Sequence, residues 1–279
     1  MGKRAAEDHG AGSKKKYRFS TGIVEPCVSG IYATCARKHE KQAAQELADL
    51  FQEKVEEYYG DEELNNGNGE SELEKELSVE DQINKELESL KSQNTDPRNK
   101  ELLRFVDLNC ECVVFCKTRK PIVPEKFVHR IMQEFADPKT SHKRTRYVQK
   151  LTPVSFSCNA SLSELSKLAQ RVLEPHFHRK DSPPLKFAIE VVRRNFNTID
   201  KLEIIKAVAK EVGKDGEMPH TVDLKNYDKL VLVECFKNNI GMSVVDSDYR
   251  DALKKYNIQQ IFLAKIHPDS NEDSTSTTK

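Results

Sequence analysis

Polar and apolar positions change period several times along the chain, and each change marks an element. From Leu185 to Val192 apolar residues occupy both faces of an extended segment. Leu185, Phe187, Ile189 and Val191 fall on one side, Ala188 and Val192 on the other, as a strand buried on both faces requires. Arg193, Arg194, Asn195 and Asn197 follow at its end, where a sheet presents side chains to solvent. Thr198 reads as an N-cap, and Ile199, Leu202, Ile205, Val208, Ala209 and Val212 form a helical stripe ending at Gly213. Strands at 221–224, 229–236 and 240–245 come next, with Asn238, Asn239 and Gly241 supplying hairpin chemistry, then a helix around Asp248–Tyr256. Upstream, Ser161 and Glu164 form a capping box for a helix through Leu173, which Pro175 stops.

The first half reads differently. Gly30–Thr34 is a short strand, and Ala43, Ala44, Leu47, Leu50, Phe51, Val55 and Tyr58 mark one helix face closing at Gly60. Phe105–Lys117 alternates as a single strand, with Val106, Leu108, Cys110, Cys112, Val114 and Cys116 on one face. Pro124 suits the first turn of a helix carrying Phe127, Val128, Ile131, Met132 and Phe135, and Arg144–Cys158 returns as a strand. Residues 61–100 are rich in Glu, Asn, Ser and Gly, with too few apolar residues to offset ordering entropy, so they are expected to be a disordered insert. Without the insert the order is strand, helix, strand, helix, strand: a small ferredoxin-like unit whose fourth strand the pattern does not place. The fold class is α/β of the α+β kind. Expected boundaries are a basic tail at 1–20, the ferredoxin-like unit at 21–152 around the insert, a second unit at 153–258, and a tail at 259–279.

Charge refines this division. Lys plus Arg and Asp plus Glu both total 45, giving a net charge of zero. That zero is a cancellation: residues 1–19 carry a net of +4, residues 60–96 a net of −9, and residues 97–268 a net of +10. A basic body with acidic parts elsewhere suits a polyanionic partner. Seven cysteines, no N-terminal apolar run and no long apolar stretch favour a reducing intracellular compartment and no membrane. Lys3-Arg4 with Lys14-Lys15-Lys16 reads either as a two-part nuclear import signal or as an arm that holds RNA.

The densest basic run is Lys143-Arg-Thr-Arg-Tyr-Val-Gln-Lys150; residues 139–150 hold five cations and no acid. On a strand Arg144, Arg146 and Lys150 share a face that can follow a phosphate backbone, with Tyr147 opposite to pack or stack. Arg193 and Arg194 suit two-pronged phosphate recognition, or alternatively salt bridges to Glu190 or Asp200. Cys110, Cys112 and Cys116 read more readily as buried strand residues than as zinc ligands, because no second pair completes a site. His176 and His178 after a helix read as loop residues rather than a metal pair. No phosphate-binding glycine loop, nucleophile elbow or deaminase spacing occurs, and no cofactor is expected.

Phe187–Arg194, Val222-Asp-Leu224 and Leu230–Glu234 resemble a THUMP domain, an RNA-binding module of tRNA-modifying proteins, here after a ferredoxin-like domain. The whole chain resembles the small eukaryotic THUMP proteins that assist tRNA acetylation, on Gly30–Cys35, Asp107–Cys112, Lys143–Pro153, Arg193–Thr198 and Asp223–Asp228. The resemblance implies a non-catalytic adaptor that presents leucine and serine tRNAs to an RNA cytidine acetyltransferase, which makes 4-acetylcytidine in the D-arm. Enzymatic relatives carry an added catalytic domain, and a chain ending soon after the THUMP unit is expected to be an adaptor. The implied RNA contacts are Lys143, Arg144, Arg146, Tyr147, Lys150, Arg193, Arg194, Asn195 and Asn197, with no catalytic or metal-binding residue, and the implied residence is the nucleus or nucleolus. The rival readings are a stand-alone tRNA-modifying enzyme with a Cys/His site and a protein-binding scaffold.

Overall fold

The computed structural model describes residues 20–22, 24–65, 102–179 and 183–266; the expected N-terminal tail and most of the acidic insert lie outside the described residues. The first unit runs β1 (Ser20–Thr21), β2 (Ser29–Cys35), α1 (Glu40–Asn65), β3 (Leu103–Asp107), β4 (Val113–Thr118), α2 (Pro124–Ala136) and β5 (Val148–Val154). Its sheet has the order β1-β3-β4-β2-β5. Apart from the short parallel edge strand β1, this is the antiparallel β-α-β-β-α-β ferredoxin-like arrangement. α1 leaves helical geometry at Gly60 (φ 55°, ψ 176°), where closure was expected, and a further helical stretch reaches Asn65.

Two expectations need correction here. Phe105–Lys117 is not one strand but the β3–β4 hairpin, and it supplies the strand that the pattern left unplaced. Asp107 Oδ1 accepts from the Asn109 amide (3.0 Å), and Asn109 and Cys112 take positive φ of 47° and 63°, so the chain reverses between them. Val106 pairs with Phe115 and both face the second unit, whereas Val114 and Cys116 face the helices with Phe105, so the facing changes parity across the turn. The run still reads as one strand because Val113–Cys116 is apolar on both faces. Arg144–Cys158 is likewise not one strand: only Val148–Val154 joins the first sheet, at an edge where Pro153 needs no donor. After Ser155, β6 (Phe156–Asn159) enters the second sheet.

The second unit continues with α3 (Leu162–Phe177), β7 (Lys186–Arg194), α4 (Lys201–Gly213), β8 (Thr221–Val222), β9 (Lys229–Phe236) and β10 (Asn239–Asp246), in the sheet order β6-β10-β9-β7-β8. α3 starts as expected, Ser161 Oγ accepting from the Glu164 amide (3.2 Å), but it accommodates Pro175 in its last turn and ends at Phe177. The N-cap position of α4 is Asp200 rather than Thr198; its buried line keeps the expected Val208 and Val212, with Ile204 in place of Leu202 and Ile205. Leu202 is 69% exposed in consequence. The expected helix at Asp248–Tyr256 is two 3-10 turns, Ser247–Tyr249 and Lys254–Tyr256. Beyond them, where a tail was expected, lies α5 (Ile258–Ile266). α5 packs on the first unit, with Phe262 against Phe135 and Lys265 Nζ donating to the carbonyls of Asp137 and Thr140.

α1 and α2 cover one face of the first sheet through Leu47, Phe51, Phe127, Ile131 and Met132, while α3 and α4 cover the far face of the second. The remaining faces meet each other. Tyr32, Phe115 and Val154 pack on Phe236, and Ala188, Leu230 and Leu232 join the first unit's core together with Tyr249, Tyr256 and Ile258. Ser243 Oγ donates to the Pro153 carbonyl (2.8 Å), and the Val28 amide donates to Ser157 Oγ (3.1 Å). A surface drawn from both units is therefore held in fixed geometry.

Candidate nucleic-acid interface

Four connections converge at one end of the molecule. The β2–α1 loop touches the β3–β4 turn through the Cys35 amide on the Cys112 carbonyl (3.1 Å) and the Arg37–Glu111 ion pair (2.9 Å). The β7–α4 loop reaches the same turn through Asn195 Nδ2 on Cys110 Sγ (3.8 Å). The β9–β10 turn closes the ring: Lys237 Nζ donates to the Leu108 carbonyl (3.1 Å), and its amide donates to the Arg194 carbonyl (3.1 Å). Positive φ at Asn195 (51°) and Lys237 (52°) makes these close returns possible. The rim belongs to both units, and Lys38, Lys41 and Lys237 on it form no ion pair among the described residues.

Arg193 and Arg194 end the strand as expected, but adjacent strand residues point to opposite faces. Arg193 turns to the helix side, where Nη1 donates to the Ile199 carbonyl (3.4 Å) and lies 3.9 Å from Asp200, closing its own loop. Arg194 faces the first unit, among Glu234, Tyr32 and Lys150. Glu190 pairs with Lys255 (3.6 Å) instead of an arginine. Burial pushes the Glu234 carboxyl up to about 7, with the positive charges of Arg194 and Lys150 opposing the rise. Asn197 is exposed in the loop between Arg194 and α4.

The basic run departs most from expectation. Lys143–Tyr147 is not in a strand, so Arg144, Arg146 and Lys150 do not share a face. Arg144 ion-pairs with Glu53 of α1, and Glu46 of α1 accepts from the amides of Arg146 (2.9 Å) and Tyr147 (3.0 Å). The counter-acids missing from the run itself come from another element. Lys150 is directed into the layer between the sheets, and burial lowers its pKa. Lys143 and Arg146 remain exposed without an acid partner among the described residues; Tyr147 stacks on His39 (4.3 Å) and so abuts the β2–α1 loop. The sequence reading overlooked Lys38, Lys41, Asn109 and Lys237. For Lys38 and Lys237 the signal was position in turns between predicted elements and for Lys41 position ahead of the first apolar residue of the helix face, whereas Asn109 stood inside what read as one strand.

The three clustered cysteines do not lie on one strand face: Cys116 is buried in β4, while Cys110 and Cys112 are half-buried in the turn. Burial pushes the thiols of Cys35, Cys158 and Cys235 up to about 12 and raises Cys116 as well. His176 lies in the last turn of α3, its pKa lowered to about 4 chiefly by burial, and His178 Nε2 lies against the Glu211 carbonyl at 3.1 Å. Among the described residues no three His, Cys, Asp or Glu side chains converge as metal ligands, and no helix is long and apolar enough to cross a membrane.

The THUMP domain family model matches residues 159–245. The chain is 54% identical to the protein named tRNA acetyltransferase TAN1 of Saccharomyces cerevisiae, with 96% of each chain covered. It is 33% identical to THUMP domain-containing protein 1 of Bos taurus (96% of this chain, 74% of that one). To the Homo sapiens protein of the same name it is 32% identical (96% and 74%). The chain belongs to this family of THUMP-domain proteins.

Proposed function

We propose that this chain is a non-catalytic tRNA-binding adaptor that presents leucine and serine tRNAs to an RNA cytidine acetyltransferase for 4-acetylcytidine formation in the D-arm. The observation that carries the reading is identity over nearly the full length of both chains to a protein named for tRNA acetylation. The two-unit rim adds a physical basis, since Lys38, Lys41, Arg194, Asn195 and Lys237 are fixed relative to one another across both sheets. Lys143, Arg146, Tyr147 and Asn197 extend the surface. Arg193 supports it by holding its loop closed, and the adaptor acts by positioning: a tRNA held in one pose raises the target base's effective concentration at a partner's active site.

The second reading is that the chain itself transfers acetyl groups, which the name of the yeast relative favours. Thiols held protonated by burial do not serve as nucleophiles. Among the described residues the nearest thing to a relay is His129, whose Nδ1 lies 3.0 Å from Tyr256 Oη and whose Nε2 lies 3.5 Å from Asp248, but Tyr256 is fully buried with its pKa raised. An acetylation assay with this chain alone, a purified RNA cytidine acetyltransferase alone, and both together separates the readings. Product only in the combined sample supports the adaptor, product from this chain alone supports the enzyme, and equal product without this chain removes both. Nuclear residence belongs to the same proposal, and imaging a tagged chain with Lys3, Arg4 and Lys14–Lys16 changed to Ala tests it.

A further inference from the structure

A cleft lies between the first turn of α1 and the β3–β4 turn, lined by Lys38, Lys41, Ala44, Val106, Asn109 and Val113 among others. We propose that it holds a single unpaired nucleotide of the bound RNA, an inference that rests on the RNA-binding reading above. Three carboxylates border the cleft, and each is already engaged. Glu40 Oε1 accepts from the amides of Cys112 (2.8 Å) and Lys38 (3.2 Å), which lowers its pKa. Glu111 is held by Arg37, and Asp107 accepts from the Asn109 amide. Glu40 and Asp107 keep their charge while holding these amides, and the groups left to donate to a ligand are two ammonium groups and one side-chain amide. Among the described residues, Lys38 and Lys41 have no acid partner, and half-buried Val106, backed by buried Ala44 and Val113, makes part of the lining apolar.

That combination suits a flat heterocycle with a phosphate attached, because the base face takes the apolar wall, the phosphate takes the lysines, and Asn109 reaches a base edge. An acidic peptide would use the lysines but leave the apolar wall uncovered. Position favours RNA as well. The cleft and the rim share the β3–β4 turn, which contacts Asn195 through Cys110 and Lys237 through Leu108. A strand whose phosphates follow Arg194 and Lys237 meets the cleft next. Paired bases are stacked inside a duplex and cannot enter it, so the site selects an unpaired nucleotide.

The test uses the full chain, tRNA transcripts carrying photoreactive 4-thiouridine, and a blunt double-stranded RNA of similar length. Crosslinks to residues 106–114 are expected with tRNA and not with the duplex. Asn109→Gly removes the amide without changing charge, and glycine accepts the positive φ there. It should weaken tRNA binding about tenfold, the size of one lost base contact, and leave the duplex within about twofold. Lys38→Ala/Lys41→Ala, both at exposed positions, should remove the 106–114 crosslinks without lowering the melting temperature. Equal losses for tRNA and duplex, or crosslinks confined to Arg194–Asn197 and Lys237, would overturn the cleft while leaving the rim intact. Wild-type protein that binds no tRNA would instead overturn the RNA reading, and the cleft with it.

Discussion

Gly241 tests whether the two units are locked together as tightly as the rim requires. It lies in β10 opposite β5 of the first unit, and a Cβ built on it would come within 2.8 and 2.9 Å of the two Val154 methyls. Contacts that short require something to move. Val154 is 1% exposed and β-branched, so its χ1 offers little escape. Its backbone is pinned on both sides, by Ser243 Oγ on the Pro153 carbonyl (2.8 Å) and by the Ser155 amide on the Met242 carbonyl (2.9 Å). Gly241→Ala should therefore cost about 2 kcal/mol, in the middle of the range for overpacking. For a folded body of this size that lowers Tm by about 4–8 °C. Val154→Ala removes two buried methyls and should also cost about 2 kcal/mol. In the double variant the added methyl enters the space the valine leaves, so the pair should cost no more than about 1.5 kcal/mol, a coupling of at least about 2 kcal/mol. Urea unfolding of the four proteins measures this. Additive costs, or a Gly241→Ala cost below about 0.5 kcal/mol, would mean that the interface between the sheets is loose and the rim is not a fixed surface.

Four other predictions rest on partners and burial seen in the structure. Arg146→Ala should flatten the slope of log tRNA affinity against log salt by about 0.7–0.9, one phosphate contact, whereas Arg144→Ala, already neutralised by Glu53, should change it by less than about 0.3. Glu234, whose folded pKa is raised, binds more protons folded than unfolded, so it costs stability as pH rises from about 4.5 to about 7. Glu234→Gln should relieve up to about 3 kcal/mol above pH 7 and little at pH 4.5. His176, lowered to about 4, has the opposite sign: stability falls as pH drops from 6.5 toward 4, and His176→Asn should lessen that fall in the same denaturation series. Iodoacetamide at pH 8 should alkylate exposed Cys27 and half-buried Cys110 well before buried Cys116 and Cys235; equal rates by mass spectrometry would contradict the burial.

The helices were the most legible part of the fold. α2 carries Phe127, Val128, Ile131 and Met132 on one side behind Pro124, a pattern no other element produces, and it forms where expected. Strand ends were harder, because period-2 alternation is blind to reversal where both faces of the second arm are apolar: Val114 and Cys116 continue the spacing of Val106 and Leu108 although they face the opposite layer. The overlooked information was chemical. Asp107 and Asn109 are the residues that turn a chain, and they stand in the middle of that run. The same blindness joined β5 to β6, since a strand that leaves one sheet for another keeps its alternation while changing its neighbours.

The charged surface was less legible for a related reason: a sequence displays charge along one dimension, whereas neutralisation happens across elements. The run from Lys143 to Lys150 contains no acid, yet Glu46 and Glu53, about a hundred residues earlier, run along it on α1 and take up its donors and Arg144. Lys150 has the right charge but is turned toward Glu234 between the sheets, away from the strand end; Arg194 also faces Glu234, but from the last position of its strand, where the rim begins. Conversely, Lys38 and Lys41 lie about two hundred residues from Lys237, and both sites border the same β3–β4 turn only when the two units close on each other. Arg194 was found because a buried strand aims its last residues at the sheet's end whatever the tertiary context. The excess of positive charge at 97–268 therefore identifies the body as a partner for a polyanion, and the fold decides which cations remain free to meet it. A substitution series chosen from charge density alone would spend its effort on Arg144 and Lys150, whereas one chosen from the rim tests Lys38, Lys41, Arg194 and Lys237.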